Sequence, residues 1–396
     1  MMTEIRVAVV GYGLAVAPVV KSLLAHDSFA VVACVDPDPL ARTRFAERTG
    51  GTAYETAPPM LQAERPDVIY IATPTHTHEE LTLLAFAHGA SVLVEKPIST
   101  GMPAAERMIS AAATAGRVLM VNHKRSADRE VLAMRAAIRS GVIGTPRMVN
   151  RWYGTNWMFR PRAADERDPE YGGVVLRQGA HEFDILRALI AGPPSRVRAW
   201  VGDLMPDRPG EGAYYAWIEC ADGTAATSIY NGYDRFLTDE LTAGPLPPMT
   251  IGASLRLHAE NSAAGLDEYD LKRTVGHPRD DALIRDMYGF SFAMCERGDV
   301  RTASGRAAWM YDRDGRRQVT VDGPAGTDFV IDELRRALVH GEPPAHDGSW
   351  GLACLELCAA VRTAAESGEF VALRHQGSPG AVRFASDATP LIGAST

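Results

Sequence analysis

No run of about eighteen apolar residues occurs anywhere in this chain of 396 residues, so no stretch is long enough to span a bilayer as a helix. Met1 to Arg6 lack the basic segment, apolar stretch and cleavage site of a secretory leader. A cytoplasmic protein is expected. Excess positive charge is missing too: 41 basic against 49 acidic residues leave a net charge of −8, which argues against a nucleic acid or a membrane surface as partner. The five cysteines, Cys34, Cys220, Cys295, Cys354 and Cys358, form neither a Cys-x-x-Cys pair nor a metal-ligand spacing. No metal centre is expected from them, and scattered thiols suit a reducing compartment. Internal repeats are absent. What remains is an ordinary globular composition, 46% hydrophobic and 23% charged, long enough for two cores.

The chain is organised around Gly11-Tyr12-Gly13-Leu14-Ala15-Val16, which follows the apolar run Ile5 to Val10 and opens a segment of helical apolar spacing, Ala15 to Ala25. Strand, glycine turn and helix form the entry to a dinucleotide-binding unit. Gly11 permits the tight turn and Gly13 lets backbone approach a pyrophosphate. The free N–H groups at the helix start, around Leu14 and Ala15, can hold the phosphate charge. Val16 stands where a third glycine is usual, so the helix is expected to ride slightly further from the sheet. A second apolar run, Phe29 to Val35, ends in Asp36, a carboxylate placed to accept hydrogen bonds from an adenosine ribose.

Three more apolar runs end in polar clusters. Val68 to Ala72 stops at Thr73-Pro74-Thr75-His76-Thr77-His78, Ser91 to Val94 at Glu95-Lys96-Pro97, and Val118 to Val121 at Asn122-His123-Lys124-Arg125. Unbroken apolar strands alternating with helices give a doubly wound parallel sheet over residues 1–128, with ligands at the carboxyl ends of its strands. Past residue 128, alternating strands such as Val197 to Val201, Tyr214 to Cys220 and Ala225 to Tyr230 predict a mostly antiparallel sheet with helices to one side, an α/β substrate domain over 129–375. Gly172-Gly173 precedes an amphipathic helix expected from about Val175 to Ile190. Leu237 to Asp281 reads as an excursion, a lid or an oligomer arm. Residues 376–396 read as a loose tail.

Glu95-Lys96-Pro97, Thr73-Pro74-Thr75-His76-Thr77-His78 and Gly173…His181…Asp184 together resemble the Gfo/Idh/MocA family of nicotinamide-dependent oxidoreductases. The resemblance implies a Rossmann domain joined to a domain with a large open sheet, assembly into homodimers or homotetramers, and hydride transfer between a hydroxyl-bearing carbon and NAD. It puts the catalytic pair on Lys96 and His181. The chemistry agrees. Removing a hydroxyl proton as hydride leaves needs a group partly basic near neutral pH. Burial beside another cation lowers a lysine from its usual ~10.4, and a histidine titrates near ~6.5. Either residue is a candidate base. Thr73, Pro74, His76, His78 and Glu95 are expected to line the cofactor, and Asp36 with Asp38 to favour NAD over NADP.

The common family pattern carries an aspartate where this chain has Arg177, four residues before His181, so on a helix the two share a face. An arginine there prefers an anion to a polyol. With Lys124, Arg125, Arg160 and Arg162 it suggests a pocket for a carboxylated substrate. Pairing of these arginines with Asp165, Glu166 and Asp168 on a solvated loop is the competing reading. Phe159-Arg160-Pro161-Arg162, Gln178-Gly179-Ala180-His181 and Cys295-Glu296-Arg297-Gly298-Asp299 are similar to the phthalate dihydrodiol dehydrogenase branch, which implies oxidation of a carboxylated cis-dihydrodiol to a catechol. Two other readings stay open: a sugar, glycoside or cyclitol dehydrogenase with Trp152, Tyr153 and Trp157 stacking on the ring, and a non-catalytic nucleotide-binding regulator.

Overall fold

The computed structural model describes residues 4–13, 16–162, 166, 168, 172–206, 208–236, 238, 265, 267–268, 271, 288–377, 384 and 391–392. They form two units, 1–127 with 324–355 and 128–323 with 356–396.

In the first unit six strands pair side by side in parallel, in the order β3-β2-β1-β4-β5-β6. They are β1 (Ile5–Val10), β2 (Phe29–Val35), β3 (Thr52–Tyr54), β4 (Val68–Ile71), β5 (Ser91–Val94) and β6 (Leu119–Val121). The helices between them are α1 (Ala17–Leu24), α2 (Pro39–Thr49), α3 (Ala57–Glu64), α4 (His78–Ala87) and α5 (Met102–Ala115). β4 and β5 are buried at every position, as strands covered on both faces must be. α2 shows why a helix begins where it does: Asp38 caps it by accepting the Leu40 N–H at 2.9 Å, Pro39 fixes the first turn, and Gly50 ends it at φ 71°.

Register is what builds the site. Val35, Val10, Ile71, Val94 and Val121 stand in one row across β2, β1, β4, β5 and β6. The residues that follow, Asp36, Gly11, Ala72, Glu95 and Asn122, therefore emerge along one carboxyl edge.

The second unit carries a ten-stranded sheet in the order β15-β8-β9-β10-β7-β11-β12-β13-β14-β16. Its strands are β7 (Pro146–Gly154), β8 (Pro194–Gly202), β9 (Ala213–Cys220), β10 (Ala225–Asn231), β11 (Phe290–Cys295), β12 (Gly298–Ala303), β13 (Ala307–Asp312), β14 (Gly315–Thr320), β15 (Val371–Ala372) and β16 (Leu391–Ile392). Only β7 and β10 run parallel; the other pairs are antiparallel. α6 (Arg129–Arg139), α7 (Gly173–Arg177) and α8 (Gly179–Leu189) pack on one face. The other leaves Met148, Trp152, Trp200, Tyr215, Trp217 and Met294 exposed.

Three expectations change. Residues 324–355, assigned above to the second domain, lie in the first unit, where Val330, Ile331 and Leu334 of α9 (Thr327–His340) join the core of Val19, Val20 and Leu23 beside α1. The excursion at Leu237–Asp281 lies outside the described residues except for 238, 265, 267, 268 and 271. In the expected loose tail, Gln376 and Phe384 are buried and Leu391–Ile392 pairs with β14. Phe384 lies under the Arg135 guanidinium, 4.2 Å from its ring centre.

Candidate active site

Along the carboxyl edge of the first sheet, Gly11 sits at φ 87°, and a Cβ there would meet the Ala72 carbonyl oxygen at 2.7 Å. Both facts demand glycine. Among the described residues, a Cβ on Gly13 would meet no atom within 4 Å beyond its chain neighbours, which leaves space there for a ligand. Leu14 and Ala15 lie outside the described residues; Val16 is buried. Asp36 accepts the Tyr12 N–H at 2.7 Å with Oδ2 and the Asp38 N–H at 2.8 Å with Oδ1. One bond to each oxygen fixes the carboxylate and leaves lone pairs for a ribose diol. The open glycine and the fixed acid fit a dinucleotide.

Further along the edge, Pro74 and His76 are exposed and Thr73 is half-buried, its hydroxyl 2.6 Å from that of Thr77. His78 departs from the cofactor-lining role expected of it. It is buried, with Nδ1 at 3.1 Å from the Pro97 carbonyl and Nε2 at 3.1 Å from that of Thr73. Its ring clips two loops together, and burial pushes its pKa down. Glu95 also turns inward: Oε1 accepts the Tyr70 hydroxyl at 2.6 Å and the Asn122 amide at 2.5 Å. That clamp fixes the backbone just before Lys96. Lys96, Lys124 and Arg125 are all half-buried on loops leaving β5 and β6.

In the second unit His181 lies in the first turn of α8, 9% exposed, with the Tyr288 ring edge-on at 5.6 Å. The Tyr288 hydroxyl donates to Gln178 Oε1 at 3.0 Å, and its ring packs on Tyr153 at 4.4 Å. Beneath lies a buried ion pair. Arg151 on β7 donates Nε to Glu182 Oε2 at 2.7 Å and Nη2 to Oε1 at 3.3 Å, with further bonds to the Ser291 hydroxyl and the Tyr288 carbonyl. One guanidinium thus fixes both the residue after His181 and the residue beside its ring.

The cationic candidates separate. The helix expected from Val175 to Ile190 is broken at Gln178 into α7 and α8, and the His181 N–H bonds only three residues back, to the Gln178 carbonyl at 2.9 Å. The shared-face spacing of Arg177 and His181 is therefore interrupted, although Arg177 remains half-buried at the end of α7. Arg162 follows the competing reading in its partner but not in its setting: it is paired with Glu166, yet buried against the Trp157 ring at 4.1 Å and bonded to the Trp157 carbonyl. Burial and Arg160 push its pKa down to about 9, so it stays charged at neutral pH, but its charge serves the loop. Arg160 is half-buried; its carbonyl accepts from Arg208. Among the described residues no cluster of His, Cys, Asp or Glu could hold a metal ion, and no helix is long and apolar enough to cross a membrane.

Two family models match the sequence: an oxidoreductase family with an NAD-binding Rossmann fold over residues 5–123, and the GFO/IDH/MocA C-terminal domain over 131–236. The chain belongs to the Gfo/Idh/MocA family of oxidoreductases. This family member is 28% identical over 372 residues to a 1-carboxy-3-chloro-3,4-dihydroxycyclohexa-1,5-diene dehydrogenase of Comamonas testosteroni, covering 90% of this chain and 94% of that one. A solved structure from Bordetella bronchiseptica RB50 is 30% identical with TM-score 0.85, covering 94% of this chain and 100% of the other. The WlbA dehydrogenase of Bordetella pertussis, solved with NADH and UDP-GlcNAcA, shares the fold at TM-score 0.70 and 21% identity, over 94% and 99% of the two chains.

For this Gfo/Idh/MocA oxidoreductase, sequence reasoning missed Arg151, Glu182 and Tyr288. Charged residues in a strand and a helix read as surface, and nothing near Tyr288 marks it. Arg151→Met should lower stability to urea by about 3–5 kcal/mol because it strands a buried carboxylate, whereas Arg151→Met with Glu182→Leu should recover most of that loss. A double variant no more stable than the single one would show that the pair is not the source of the loss.

Proposed function

We propose that this oxidoreductase uses NAD to oxidise a ring hydroxyl of a carboxylated cis-dihydrodiol, giving a catechol. The observation that carries the substrate is the near full-length likeness to a dehydrogenase whose name describes a carboxylated ring diol. The half-buried cations Lys124, Arg125, Arg160 and Arg177 support it, since each offers charge-assisted hydrogen bonds to a carboxylate. NAD, when bound, would supply the hydride acceptor, and loss of the proton on the neighbouring hydroxyl-bearing carbon to water would rearomatise the ring and drive the reaction forward.

The residues have separable duties. Lys96 Nζ takes the hydroxyl proton, and the Tyr70–Glu95–Asn122 clamp keeps its backbone in place. His181, held by Tyr288 and by its neighbour Glu182, relays that proton or takes it directly. Arg177 presents a two-pronged donor to the substrate carboxylate. Asp36 holds the ribose diol and repels a 2′-phosphate. Arg42, the nearest cation that could reverse this preference, spends Nη1 on the Asp36 carbonyl at 2.8 Å and that of Pro37 at 3.0 Å.

The sugar or cyclitol reading draws less support from ring stacking. Trp152 and Tyr153 are consecutive in β7, one exposed and one buried on opposite faces, and Trp157 is buried under Arg162. Lys96 and His181 speak against a non-catalytic regulator. The exposed aromatic face of the large sheet, with Trp200, Tyr215 and Trp217, is assigned to self-association into dimers or tetramers.

With NAD, absorbance of reduced nicotinamide should rise with the cis-dihydrodiol of benzoate well above that with the cis-dihydrodiol of benzene or with myo-inositol; turnover of inositol alone would overturn the substrate. Arg177→Ala should lower kcat/KM for the benzoate diol by about ten- to a hundredfold and spare the neutral diol. Equal losses would make Arg177 structural. Lys96→Ala should cut kcat by about a hundredfold or more while NADH still binds, as general acid–base groups contribute ~10²–10⁴; near-normal turnover would remove it from the mechanism. Trp217→Glu should shift the sedimenting species toward monomer, and an unchanged assembly would clear that face of the role.

A further inference from the structure

Three polar side chains far apart in sequence form a buried chain in the first unit. Glu333 of α9 accepts from the Ala345 N–H with Oε1, and its Oε2 is 2.7 Å from His346 Nδ1. His346 Nε2 is 2.7 Å from Ser126 Oγ, which donates in turn to the His123 carbonyl at 3.3 Å. Ser126 and His346 are both 0% exposed and Glu333 4%. Phe329 and Trp350 stand edge-on to the imidazole at 6.1 and 5.9 Å. Serine, histidine and carboxylate in this order are the parts of a hydrolase nucleophile. Here no substrate can reach Ser126 Oγ, so the chain does other work.

Its far end shows what that work is. The turn at 122–127 leaves β6 at the carboxyl edge. Its front is tied by Asn122 to Glu95 and its back by Ser126 to His346. Between the ties lie Lys124 and Arg125. A turn held only in front could swing these two long cations, and a buried hydrogen-bonded chain resists that because breaking any link strands a polar group. We propose that Glu333–His346–Ser126 is a positioning relay, which sets the Lys124–Arg125 turn to receive the carboxylate of the substrate. It rests on the assignment of those cations to substrate made above. It also gives 324–355 a reason to return to the first unit, since that segment brings both Glu333 and His346.

The test combines amide hydrogen exchange with steady-state kinetics on the full chain, using NAD and the cis-dihydrodiol of benzoate. Ser126→Ala should raise KM for the diol about tenfold, leave KM for NAD within about twofold, and speed exchange of the 122–127 amides about tenfold. Ser126→Thr, which keeps the hydroxyl, should restore all three. A purely structural role would instead raise both KM values together with exchange throughout the unit, and that result overturns the relay. So does unchanged exchange at 122–127 in Ser126→Ala. If Lys124→Ala and Arg125→Ala leave KM for the diol unchanged, the substrate assignment falls; faster exchange confined to the turn would still uphold the relay, so the two failures are distinct.

Discussion

The buried pair Arg151–Glu182 is the interaction on which the placement of His181 in the second unit depends. Both side chains are at most 1% exposed, so each would carry a heavy desolvation cost alone. The cost is offset because the guanidinium is bonded on several sides, to both carboxylate oxygens, the Ser291 hydroxyl and the Tyr288 carbonyl. This network does what an apolar cluster could not: it fixes direction. Strand β7, the start of α8 and the approach to β11 are set to one another, and His181 is held between Glu182 in sequence and Tyr288 in space.

The first unit reaches the same end by register. Parallel strands that finish in one row deliver a glycine turn, an acid, a clamped glutamate and an asparagine to one edge. Small polar clamps then refine the edge. His78 ties the loop after β4 to the loop after β5, and Glu95 ties β4, β5 and β6 at their ends. The lysine between these clamps inherits their precision without making either.

Much of this was legible in the residues. Unbroken apolar runs announced β4 and β5, since only a strand buried on both faces needs them, and Gly11 announced a backbone that tolerates no Cβ. Asp36 was marked by its place after β2. What could not be read was pairing between distant charges. Arg151 and Glu182 stand 31 residues apart, and only the fold brings them together; pairing of Arg162 with Glu166 was one of the open readings, and what was hidden was the Trp157 ring that Arg162 packs against. The break at Gln178 was hidden because the apolar spacing continues across it. Residues 324–355 were assigned to the wrong unit because an amphipathic helix such as α9 does not say which apolar face it will meet; Leu334 would suit either core.

These parts combine in one chemical claim, that a hydride leaves a hydroxyl-bearing ring carbon of a carboxylated diol as a proton leaves its oxygen. The most direct test is isotopic: the 3,4-cis-dihydrodiol of benzoate, deuterated at the ring carbons that bear its hydroxyls, is incubated with the enzyme and NAD, and both products are analysed by mass spectrometry. The account predicts one deuterium per turnover in the reduced nicotinamide, the other released to water as the ring aromatises, and a catechol as the other product. Both deuterium atoms lost to water with none in the reduced nicotinamide, or a diol consumed without reduction of NAD, would contradict it.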